Sequence, residues 1–93
     1  MSYQIKRTSK FKKDFKSICD RGLNVDAFKR VLQYLASGEP LPEKYLDHPL
    51  RNSKHFQNCR ECHIEPDWLL VYQYDHDDLI LYLIRTGSHS DLF

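Results

Sequence analysis

His63 and Asp67 flank Pro66 in the stretch Arg60-Glu61-Cys62-His63-Ile64-Glu65-Pro66-Asp67-Trp68. Proline suits the second position of a type I turn, because its ring fixes φ near the value needed there. Apolar, strand-like residues run from Leu69 to Tyr74, so the turn is expected to join two antiparallel strands. His63 and Asp67 then meet at one end of a sheet. Histidine, with an ordinary pKa of ~6.5, gives or takes a proton near neutrality. Two further side chains, Arg85 and His89, are expected at the same end, with Trp68 and Phe93 beside them. Such a set can cleave RNA through its own 2′-hydroxyl. A base removes that proton, an acid protonates the departing 5′-oxygen, and positive charge stabilises the phosphorane-like transition state. Arg85 offers a planar fork of donors to a phosphate, and Trp68 and Phe93 offer rings to bases. No part of this chemistry requires a metal or cofactor. Each residue also has an ordinary alternative: Trp68 in the core, His63 as a hydrogen-bonded strand histidine, Asp67 bonding its own turn.

The elements that position this set follow from periodicity and turn chemistry. Tyr3 to Thr8 reads as a short strand, and Ser9 as the N-cap of a helix. Phe11, Phe15, Ile18 and Cys19 lie at helical spacing, with Cys19 a small core residue, and Gly22 suits the position just past the helix end. A second helix fits Val25 to Ser37, capped by Asn24 and stopped by Gly38, burying Phe28, Val31, Leu32 and Leu35. From Glu39 to Asn52 the prolines Pro40, Pro42 and Pro49 exclude regular helix and argue against a central strand, leaving an extended surface loop that carries Asp47-His48-Pro49-Leu50. His48 there is either an exposed loop residue or a further member of the set. Three strands follow, Phe56–Ile64, Trp68–Tyr74 and Leu79–Arg85. If Asp75 pairs with Asp78, Trp68 stands opposite Arg85. A helical hairpin followed by a strand meander makes an α+β, two-layer arrangement on a small, mostly antiparallel sheet.

Composition narrows the class. Ninety-three residues make one domain, residues 1–93. The longest apolar run, Leu79 to Ile84, is far short of the ~20 residues that span a bilayer, so no membrane is involved. No charged-then-apolar leader precedes a cleavage site. Three cysteines, an odd number, argue against a disulfide framework and for a reducing cytoplasm. The net charge of +1 conceals an asymmetry: residues 1–30 carry nine Lys/Arg against three Asp, whereas residues 61–93 carry one Arg against seven acids. A basic half of this kind fits either a polyanion partner or a solvated helix face. Cys59-x-x-Cys62-His63 suggests zinc, but residues three apart on a strand point to opposite faces and a second ligand pair is missing unless His48 or His55 serves. A redox reading is weaker, since C-x-x-C should open a helix after a strand.

Asp47-His48-Pro49-Leu50, then His63-Ile64-Glu65-Pro66-Asp67-Trp68-Leu69-Leu70-Val71-Tyr72, then Arg85-Thr86-Gly87-Ser88-His89-Ser90-Asp91-Leu92-Phe93 together resemble the YafQ branch of the RelE superfamily, toxins of bacterial type II toxin–antitoxin pairs. The resemblance covers nearly the whole chain. It implies a RelE-like fold and a ribosome-dependent mRNA endonuclease that cuts in the ribosomal A site and is silenced by a cognate antitoxin. It assigns His48, His63, Asp67 and His89 to the acid/base group, Arg85 to phosphate, and Trp68 and Phe93 to mRNA. Glu61 stands where the family carries an aspartate and joins the substrate-binding set. The segment from Leu50 to Arg60, with Lys54 and His55, is longer than the family's. The basic helices then face ribosomal RNA, and the toxin is monomeric when free and oligomeric with its antitoxin. Two rivals are a non-catalytic RNA- or ribosome-binding module and a gyrase-poisoning toxin of the same fold, which generally lacks this His/Asp set.

Overall fold

The computed structural model describes residues 2–50 and 56–93, and its two long helices begin and end where cap chemistry puts them. Helix α1 spans Ser9–Asp20 and buries Phe11 and Ile18. Its cap is Thr8, one residue before the expected Ser9. Thr8 Oγ1 accepts the Phe11 N–H at 3.0 Å and donates to the Ile84 carbonyl at 2.7 Å, so one hydroxyl caps the helix and ties it to the sheet. Gly22 follows the helix end with φ 74°, in the left-handed region that glycine enters without strain. Cys19 corrects the sequence reading: it is exposed, because Ile18 occupies the centre of the buried stripe and Cys19 lies one step of ~100° round the helix. Helix α2 spans Val25–Ser37 as expected. Asn24 Oδ1 accepts the Asp26 N–H at 3.1 Å, and Gly38 closes the other end at φ 77°. Ala27 joins Phe28, Val31 and Leu35 on its buried face.

Both helices cover one face of a five-stranded sheet of order β1-β5-β4-β3-β2, α1 against the β5 side and α2 against the β3 side. The strands are β1 (Gln4–Arg7), β2 (His48–Pro49), β3 (Arg60–Glu65), β4 (Trp68–Asp75) and β5 (Ile80–Gly87). Only β1 and β5 run parallel; the other pairs are antiparallel. Phe11, Ile18, Phe28, Val31 and Leu35 of the helices meet Cys62, Ile64, Trp68, Leu70, Tyr72, Leu81 and Leu83 of the sheet in one core. This is the α+β, two-layer, mostly antiparallel architecture that the sequence reading expected.

The stretch after α2 is less extended than its prolines suggested. A single 3₁₀ turn, Glu43–Tyr45, buries the Tyr45 ring, and His48–Pro49 pairs with β3 as an edge strand, where a missing N–H does no harm. Asp47 pins it: one carboxylate accepts from Arg60 Nη2 at 2.9 Å, from Arg60 Nε at 3.3 Å and from the Tyr72 hydroxyl. Burial and this aspartate push the Tyr72 phenol far up, so it stays a donor. Strand β3 starts at Arg60, later than the expected Phe56, because Phe56 to Cys59 form a turn, with Cys59 N–H donating to Phe56 O at 3.2 Å. Lys54 and His55 lie outside the described residues.

The β4–β5 register also differs. Asp75 pairs with Ile80, and Arg85 stands opposite Val71 in place of Trp68. The connecting loop is longer than assumed: Asp75 Oδ1 accepts from Asp77 N and Asp78 N at 3.1 Å each, and Leu79 turns the chain with φ 54°. A bulge at Ile84 then adds a further residue to β5.

Candidate active site

Glu65 pairs with Trp68, so Pro66 and Asp67 form a two-residue hairpin loop where the sequence placed it. Side chains alternate along strands: Cys62 and Ile64 enter the helix-side core, and Glu61 and His63 face the opposite side. Two short rows result on that side. His48 pairs with Glu61 and Glu61 with Val71, while His63 pairs with Leu69 and Leu69 with Gly87. Arg85, the partner of Val71, completes the first row across three strand gaps, about 15 Å from His48. Asp67 and His89 lie beyond the second row. His48, His63, Asp67 and His89 therefore gather along one end and one face of the sheet.

Ring nitrogens divide the histidines. A carbonyl oxygen only accepts, so the nearest ring nitrogen must carry the hydrogen. His63 Nδ1 lies 3.2 Å from Pro66 O, leaving Nε2 as an open acceptor. His48 Nδ1 lies 2.7 Å from Leu46 O, and its Nε2 faces Glu61 Oε1 at 3.6 Å, a contact that attracts when the ring is protonated. Neither ring nitrogen of the exposed His89 has a partner among the described residues. Its backbone N–H donates to Asp67 Oδ1 at 3.1 Å, which fixes the start of α3 (His89–Leu92) against the hairpin. The ring of Phe93 stands 5.2 Å from that of His89 and is 56% exposed, open to a stacking partner.

Three assigned residues sit differently from their expected roles. Trp68 is 1% exposed. Its ring packs against Phe28 at 6.4 Å between centroids, and its Nε1–H donates to Thr86 Oγ1 at 2.8 Å. It presents no face to a base, so its mRNA-positioning assignment gives way to the core reading. Glu61 is buried at 3% exposure beneath His48, one oxygen without a partner among the described residues, and reaches the site through His48. Arg85 is held by Asp14, whose carboxylate accepts from Arg85 Nε at 2.6 Å, Arg85 Nη2 at 3.1 Å and the Thr86 N–H at 3.1 Å. That hydrogen bonding raises the Arg85 pKa further, so the cation is permanent. Asp14 is an anchor the sequence reading missed, and nothing in a Lys-rich helix singles it out.

Thr86 is the hidden support of this end. Its hydroxyl accepts from Trp68 and donates to Leu69 O at 2.7 Å, so it links β4, β5 and the core. Thr86→Val keeps the shape and leaves the buried indole N–H without an acceptor, which will lower unfolding free energy by about 1–3 kcal/mol. Urea titration reads this directly, and a loss under about 0.5 kcal/mol would show that the bond is dispensable.

Cys59 and Cys62 fall in different clusters on the two faces of the sheet. Burial pushes both thiols up, Cys62 more strongly. A thiolate pair for zinc or redox work is therefore disfavoured, and the described residues contain no group of three or more His, Cys, Asp or Glu placed to hold a metal.

A helical hairpin on a five-stranded, mostly antiparallel sheet, with histidines and an aspartate along one end, is a RelE-like toxin scaffold. The family described as bacterial toxin of type II toxin–antitoxin system, YafQ, matches residues 3–93, and the chain belongs to that family. It is 36% identical over 90 residues to the mRNA interferase toxin YafQ of Escherichia coli strain K12, covering 96% of this chain and 94% of that one. It is 31% identical to a putative toxin YafQ of Haemophilus influenzae, over 94% of this chain and 88% of that protein. Among solved structures, a metal-bound toxin from Helicobacter pylori superposes with a TM-score of 0.90 at 42% identity, covering 100% of both chains. The E. coli DinJ–YafQ toxin–antitoxin complex matches with a TM-score of 0.87 at 34% identity, over 100% of this chain and 99% of the other.

Proposed function

We propose that this toxin is an endoribonuclease that cuts mRNA in the ribosomal A site. The observation that carries the reading is the junction at Asp67: it shares a hairpin with His63, and its carboxylate holds the His89 amide, in a chain of the YafQ family. The proton-transfer roles go to the two histidines with ring nitrogens open to substrate. His63 Nε2 takes the 2′-hydroxyl proton, the 2′-oxygen attacks phosphorus, and the P–O5′ bond breaks. Protonated His89 delivers its proton to the departing 5′-oxygen, leaving a 2′,3′-cyclic phosphate and a 5′-hydroxyl. His48, set against Glu61, donates to the phosphate oxygens, and Arg85, three strand gaps away, adds a fixed cation for a neighbouring phosphate of the RNA chain. Phe93 stacks on a flanking base.

The basic amino-terminal half supplies contacts to ribosomal RNA, and their salt sensitivity follows from counterion release. The family and the DinJ–YafQ complex structures support a cognate antitoxin partner; the toxin itself is monomeric when free and oligomeric once bound to it. With a ribosomal target, the protein works in the bacterial cytoplasm. The test uses purified, antitoxin-free protein and a defined mRNA, alone and programmed on ribosomes, with EDTA in the RNA-only reaction. Cleavage on ribosomes that disappears in His89→Ala supports the reading. Ribosome binding without cleavage by the wild type would turn it into a non-catalytic binding module.

A further inference from the structure

Beyond the end of β1, the edge of β5 is taken over by α1, and a pocket opens between them. Thr8, Lys10, Phe56, Ile84, Arg85 and Leu92 line it, enclosing about 390 Å³, room for one nucleotide. Its chemistry is divided. Phe56, Ile84 and Leu92 belong to the small apolar cluster on the sheet face away from the long helices, and Lys10 and Arg85 supply positive charge. Among the described residues no acid lines the cavity. Lys10 has no ion-pair partner among the described residues. Arg85 gives Nε and one Nη2 hydrogen to Asp14, so three of its five donors remain for a ligand, on a guanidinium that Asp14 holds in place.

The pocket continues the site already described. Phe56 contacts Phe93 edge-on at 5.8 Å between ring centroids, and Phe93 lies 5.2 Å from His89. One continuous wall therefore runs from Asp67 through His89, Phe93 and Phe56 into the cavity. Two cations at the rim and an aromatic–aliphatic floor suit a phosphate and the flat face of a base.

We infer that this cavity binds a nucleotide of the RNA chain flanking the one cleaved, with Lys10 and Arg85 on its phosphate and Phe56 and Leu92 against its base. The inference rests on the endonuclease reading for its substrate, but not for its test. Lys10 is exposed, so Lys10→Gln will fold. Adenosine 3′,5′-bisphosphate, titrated into the ¹⁵N-labelled full chain, will shift the amides of Thr8, Lys10, Ile84, Arg85 and Leu92. Lys10→Gln will weaken that binding about tenfold, the effect of losing one charge-assisted hydrogen bond, and Lys13→Gln on the same helix will not. Adenosine or inorganic phosphate alone will bind more weakly. Equal binding of phosphate alone, or no shift in these amides, overturns the nucleotide site. On programmed ribosomes, Lys10→Gln will raise the substrate concentration for half-maximal cleavage and leave the maximal rate unchanged. Cleavage by a wild type that shows no shifts here would overturn the pocket alone. Shifts here without any cleavage would sink the endonuclease reading and leave the pocket standing.

Discussion

Replacing His89 with alanine will slow mRNA cleavage on programmed ribosomes by roughly 10²–10⁴-fold, the usual contribution of a positioned general acid. The side chain is exposed, and the backbone N–H that Asp67 accepts survives the change. The melting temperature and antitoxin binding will therefore stay as in the wild type. A purely structural role for His89 predicts the opposite pairing, a loss of stability with little loss of rate per folded molecule. One further readout separates an acid from a spacer. Added imidazole will restore part of the rate to His89→Ala but none to a Phe93→Leu control, whose defect will lie in substrate affinity. A full rate in His89→Ala would remove the proposed acid and with it the division of roles between His63 and His89.

The parts of this site that could be read in the sequence are those fixed by neighbours along the chain. Asn24 and Gly38 bracket α2 because capping is a matter of one or two residues. Glu65, Pro66, Asp67 and Trp68 make a hairpin for the same reason, which is why His63 and Asp67 were found together. His89 was placed at that end because alternating hairpins return the chain there, whatever the register. Register itself was not legible. The left-handed backbone at Leu79 and the bulge at Ile84 are settled by packing, and each moved Arg85 away from Trp68.

What sequence missed is long-range. Asp14 and Arg85 are 71 positions apart, and no local pattern pairs one acid of a Lys-rich helix with one arginine of a strand. The same holds for Asp47, whose partners Arg60 and Tyr72 sit on two strands that follow it. Trp68 illustrates a different limit. An aromatic after a turn is equally a platform for a base or a plug for the core, and only the Thr86 hydroxyl waiting beneath it decides. The Ser88-x-x-Asp91 capping box, which the sequence reading did not single out, proves to be what orients the carboxyl-terminal turn.

That capping box carries the second large effect. Ser88 Oγ accepts the Asp91 N–H at 3.1 Å, and the Asp91 carboxylate accepts the Ser88 N–H at 2.8 Å. Gly87 lies directly against it: a Cβ there would stand 2.9 Å from both Asp91 Cβ and Asp91 Oδ2. The clash is with a side chain whose Oδ2 accepts from both the Ser88 N–H and, at 3.0 Å, Arg21 Nη2, so Asp91 cannot swing aside without opening the box. Gly87→Ala will therefore displace α3 and move His89 and Phe93 together. A misplacement of about 1 Å at a reacting group costs on the order of 10²-fold in rate, and a loss of that order is the expectation. The main core lies on the other face, and α3 gives only Leu92 to the small apolar cluster on this one, so the melting temperature will fall only modestly. The pH response supplies the decisive control. The Ser88 amide, then Arg21, holds the Asp91 carboxyl below its ordinary range, so its contribution to α3 is complete above about pH 4 and lost as pH falls through its lowered value. In the wild type the Ser88 amide will therefore lose protection from hydrogen exchange on acidification. In Gly87→Ala it will be unprotected at every pH. A Gly87→Ala protein that keeps both the acid-dependent protection and full cleavage would show that α3 tolerates the methyl group and that its placement does not govern His89.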